Sequence, residues 1–106
     1  MHWYHLLAWF FGGAFLANSI PHIGTAVAGR PFQTPFAKPP GKGLSSSVVN
    51  ILWGFFNLAI SYLLLFHVGA FDLHNGLHAL TFLAGMFAIS LNHAYGFGRL
   101  HGGLNP

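Results

Sequence analysis

Eight histidines and one carboxylate are the residues of this 106-residue chain most able to do chemistry. The carboxylate is Asp72, and the only formal cations are Arg30, Lys38, Lys42 and Arg99. A single acid excludes any mechanism built on paired carboxylates. The absence of cysteine excludes disulfides, thiolate metal sites and thiol nucleophiles. No glycine-rich phosphate loop or serine–histidine–acid pattern supports hydrolase, kinase or transferase chemistry. Four scattered basic residues do not make a nucleic-acid surface, so nucleic acid is not an expected partner.

The histidines fall into two layers. His2, His5, His67, His74 and His78 belong to one end of the chain's apolar segments, and His22, His93 and His101 to the other. In the first layer His74 and His78 are four residues apart, a spacing that puts two imidazoles on one helix face, with Asp72 just upstream. Asp72, His74 and His78 are therefore the candidate ligands for a divalent metal. Haem b is the second candidate cofactor, because membrane cytochromes of the b type hold haem between histidines of neighbouring helices. His5 with His78, and His22 with His93, could each bracket such a ring. His78 and His93 are about 22 Å apart along a helix axis and about 60° apart around it. Cations to meet haem propionates occur only near the second layer, which favours the pair His22 and His93. The single H-x-x-x-H, His74 to His78, also invites comparison with histidine-box di-iron enzymes, whose boxes are contiguous clusters on several segments.

Positioning these groups falls to three apolar segments, residues 3–20, 48–68 and 77–97. Each approaches the ~20 residues a helix needs to cross a ~30 Å hydrocarbon layer. With 54% apolar and 5% charged residues, against about 25% charged in soluble chains, the expected fold is an all-α integral membrane bundle of three transmembrane helices in a single domain. Pro21 should end the first helix or kink it and leave His22 attached. Ser45, Ser46 or Ser47 should cap the second helix, and Asp72 or Asn75 the third. All four cations lie in loop 24–46 or after the third span. The positive-inside rule then predicts that the N-terminus is outside and the loop and C-terminus are cytoplasmic, as in a bacterial cytoplasmic membrane.

Within the spans, polar residues share faces. Asn50, Gly54, Asn57 and Ser61 form one stripe, and His74, His78, Thr81, Gly85, Asn92 and Gly96 another. His5, Ala8, Gly12 and Ser19 mark the first helix. Ser19, Asn50, Asn57, Ser61 and Asn92 are the expected polar lining, with Asn18 or Ser19, His22, Asn50, Asn92 and His93 as the inner layer. Gly13 and Ala17 sit about 100° from Ala8 and Gly12, which predicts a second small-residue face turned to another chain. The Pro- and Gly-rich loop reads as extended, with Arg30, Phe32, Phe36, Lys38 and Lys42 meeting lipid headgroups or a partner. The functional expectation is a non-catalytic subunit of a homo-oligomer or larger membrane complex, in contact with the bilayer. The alternatives are a haem- or metal-binding redox subunit and an oligomeric proton-coupled channel or carrier.

Overall fold

A computed structural model describes residues 2–106. The chain forms α1 (Trp3–Val27), a short antiparallel pair β1 (Phe32–Gln33) and β2 (Leu44–Ser45), then α2 (Ser47–Phe66) and α3 (Gly76–His101). All three helices are long and apolar enough to cross a membrane. The helix starts follow from local chemistry. Ser46 caps α2 by accepting from the Val49 N–H. Asn75 caps α3 by accepting from the Leu77 and His78 N–H groups, which satisfies donors a first turn leaves orphaned. Gly102, at φ 80°, ends α3 in the left-handed conformation that favours glycine.

α1 runs through Pro21 to Val27, so it exceeds the expected 3–20 segment by two turns. Proline removes one backbone donor. The helix continues because the next turn is held otherwise: the Thr25 hydroxyl donates to Pro21 O at 2.6 Å, and His22 is buried against α2 and the loop.

The three helices do not form a closed bundle. α1 packs extensively on both α2 and α3, whereas α2 and α3 barely touch. Gly12 and Gly13 make this possible. A Cβ at Gly12 would lie 2.7 Å from Leu65 of α2. A Cβ at Gly13 would strike the Phe82 backbone of α3, and one at Gly85 of α3 would strike the Phe10 backbone. Both small-residue faces of α1 are thus consumed inside the molecule, which corrects the expectation that Gly13 and Ala17 face another chain. The reason is α1's central place, which gives it one neighbour on each of two faces about 100° apart.

Trp9 and Leu65 are buried, but most other large helix side chains point outward and small or polar ones inward. On α2 the buried residues are Asn50, Gly54, Asn57, Ser61 and Leu65, while Leu52, Phe55, Phe56 and Tyr62 are exposed. The segment between α1 and α2 is not the extended connector its prolines suggest. It turns back through the pairing of Phe32 with Ser45 and Gln33 with Leu44, and Thr34 O accepts from the Gly41 N–H. Phe32, Gln33 and Thr34 are buried against the helix ends.

Candidate functional site

The polar residues of the three helices meet at the end of the molecule that carries this loop. Asn50, fully buried on α2, donates its amide hydrogens to Phe32 O, Ser45 O and Ser46 O at 3.0 to 3.2 Å. Those carbonyls can only accept, so the amide nitrogen is fixed toward them and Oδ1 faces His22. The His22 Nδ1 atom, 2.7 Å away, therefore carries the hydrogen and donates it.

A second chain of bonds crosses all three helices. The Asn57 amide donates to Trp53 O at 2.8 Å. Its Oδ1 accepts from the Asn18 amide at 2.9 Å, which turns Asn18 Oδ1 toward His93 Nε2 at 2.6 Å. By the same reasoning His93 is an Nε2–H donor. Each histidine thus spends one N–H on an asparagine and keeps its other ring nitrogen, Nε2 of His22 and Nδ1 of His93, out of the network. Nearby, His101 Nε2 meets Gln33 Oε1 at 3.0 Å. The Phe32 ring lies between helix ends, 5.4 Å from His22, 4.7 Å from Phe97 and 5.5 Å from His101. A cavity of about 340 Å³ is bordered by Asn18, His22, Thr34, Trp53 and His93. It shares Pro40, Gly41, His93 and Phe97 with an adjoining hollow of about 550 Å³, lined further by Lys42, Asn92, Gly96 and Arg99.

The expected inner layer is therefore assembled in part. His22, Asn50 and His93 converge with Asn57 and Asn18. Ser19 is buried but satisfied locally, donating to Leu16 O at 2.6 Å, and Ser61 donates to Gly12 O one turn further into the molecule. Asn92 is exposed and stays outside the hydrogen-bonded core, because it lies one residue, or about 100°, from inward-facing His93. Gln33 and Thr34 were not expected here, whereas His101 was expected at this end alongside His22 and His93. The polar pair Gln33-Thr34, set between Pro31 and Pro35 in a run otherwise apolar or basic, was the available signal.

At the opposite end Trp9 decides the geometry. Its indole is 1% exposed, donates to Val68 O at 2.8 Å, and lies 5.7 Å from the His5 ring and 4.2 Å from the His78 ring. Both imidazoles rest on this indole, which takes the space a haem bracketed by His5 and His78 would need. His78 Nδ1 accepts from the Asp72 N–H at 3.0 Å, and Asp72 Oδ1 accepts from the His74 N–H at 2.9 Å. These are turn and cap bonds. Asp72, His74 and His78 do not converge, and no group of three or more histidine or acidic side chains among the described residues could hold a metal ion. In the inner pair, His22 Nδ1 and His93 Nε2 are each bonded to an asparagine, and both residues border the cavity of about 340 Å³.

The loop calls for one more correction. Arg30, Phe36, Lys38 and Lys42 are exposed. Phe32 is 7% exposed and is part of the core instead. Its ring packs against His22, Phe97 and His101 at the helix ends. Comparison with protein-family models, with curated proteins and with solved structures finds no match to this chain.

Proposed function

We propose that the protein is an integral membrane protein, with its loop and C-terminus cytoplasmic, that serves as a non-catalytic subunit of a membrane assembly made of its own copies or of other membrane chains. Membrane residence is supported by three apolar helices, most of whose large side chains face outward. The observation that carries the subunit reading lies on α3, the least buried helix. Ala84, Ala88, Asn92 and Gly96, spaced by four, are all exposed along one side of it. In lipid no hydrophobic force drives helices together, and close approach at small residues plus interhelical bonds from amides must supply the attraction. An amide about one turn inside the span is also costly to leave in hydrocarbon. The other spanning amides are already satisfied within the chain, so Asn92 is the group with a bond to offer outward.

Native mass spectrometry of the full chain extracted in mild detergent tests this reading. The expected result is a complex larger than one chain, which Ala88→Leu and Asn92→Leu dissociate. Phe55→Leu, on the exposed face of α2, should leave it intact. A strictly monomeric protein that brings no partner from its own membrane overturns the proposal.

A further inference from the structure

Two of the chain's four cations share one hollow. Lys42 reaches it from the turn after Pro40 and Gly41, and Arg99 from the last turn of α3, with Asn92 on the same wall. Arg99 is held in place by the Tyr95 ring, 5.7 Å from its guanidinium carbon. No acidic side chain is available to either. The only one, Asp72, precedes α3, while Arg99 lies near its far end, about 35 Å along the helix. The carboxyl end of α3 offsets Arg99 in part through its dipole, and Lys42 is not on that helix. The hollow therefore combines about 550 Å³ of space with an excess of positive charge.

We infer that this hollow is a binding site for a phosphate group, either the phosphodiester of an anionic lipid headgroup or a free phosphate. The inference rests on the membrane placement proposed above, which brings the hollow to the depth of the cytoplasmic headgroups. Three features favour an oxyanion of this kind. The guanidinium presents a planar fork that matches phosphate oxygens, and the Lys42 ammonium adds a point charge to the same hollow. The apolar residues Phe97 and Leu100 border the same space, giving the first carbons of a lipid tail a surface to follow. Arg30 and Lys38, exposed like Lys42 and Arg99, do not line the hollow, so they attract a charged membrane only diffusely.

The test uses the full chain in phosphatidylcholine nanodiscs doped with phosphatidylglycerol, with retained lipid counted by native mass spectrometry after release. Phosphatidylglycerol should be retained in preference to phosphatidylcholine. Lys42→Gln and Arg99→Gln should each weaken that preference about fivefold, as expected for one cation near an anionic surface. Arg30→Gln with Lys38→Gln should leave it within twofold. A parallel arm offers inorganic phosphate to the protein in pure phosphatidylcholine and follows it by phosphorus NMR. Binding there that is lost in both hollow variants assigns the site to free phosphate, and its absence alongside lipid retention assigns it to the headgroup. Equal retention of the two lipids with no phosphate binding, or equal losses for the hollow and exposed-cation variants, overturns the inference. Alkaline extraction from native membranes is run beside it, so that a protein that is not membrane-embedded is recognised as the failure of the placement.

Discussion

Asn50 uses both its amide nitrogen and its amide oxygen, and that economy explains why one residue ties α1, α2 and the intervening loop together. Replacing it with alanine leaves Phe32 O and Ser45 O without its donor and His22 Nδ1–H without an acceptor. Orphaned buried groups cost about 1–3 kcal/mol. Asn50→Ala is accordingly expected to lower the unfolding temperature in detergent well below that of the wild type. Ser90→Ala, at an exposed position, should change stability by no more than ~0.5 kcal/mol; matching transitions for the two variants would contradict the role assigned to Asn50. The stripe Asn50, Gly54, Asn57 and Ser61 was legible because a polar face stands out at helical spacing in a span otherwise apolar. Asn18, one of the two residues of α1 expected in the inner layer, reaches both α2 and α3.

At the scale of elements, the crossing of α1 and α3 is set where backbone meets backbone. A methyl group at Gly85 would overlap the Phe10 carbonyl, and neither helix can yield without parting from the other. Gly85→Ala is expected to cost about 1–3 kcal/mol of stability, despite a gain in helix propensity of up to ~1 kcal/mol. Gly24→Ala on α1, where an added Cβ meets nothing within 4 Å, should be neutral or stabilising. Thermal unfolding of both variants distinguishes these outcomes, and a Gly85 variant as stable as the Gly24 one would refute the close crossing. Helix number and approximate limits were readable from apolar length, and the caps from Ser46 and Asn75. The extra turns of α1 beyond Pro21 were less so, because they depend on burial of His22 under Phe32, a contact between residues whose proximity only the loop's path creates. The loop itself misled because prolines reveal local backbone preference and nothing about what a polar pair such as Gln33-Thr34 will bind.

For the whole molecule, the distribution of charge makes a directional prediction. Arg30, Lys38, Lys42 and Arg99 all belong to the end that carries the loop and the C-terminal tail, while the turn holding Asp72 is at the other. A reporter active only in the cytoplasm, fused at Pro106, should work, and one inserted at Ala70 should not; the reverse pattern would invert the proposed orientation. The central position of α1 has a further meaning in the order of synthesis. α2 takes almost nothing from α3, so a nascent chain can join α1 to α2 and satisfy Asn50, Asn57 and Ser61 before the last helix has left the ribosome. Three groups must wait for it: the Asn18 oxygen that His93 fills, the Gln33 amide that meets His101, and the Phe32 ring that Phe97 covers. The part of the chain made last is thus the clasp that fastens the loop made near the beginning.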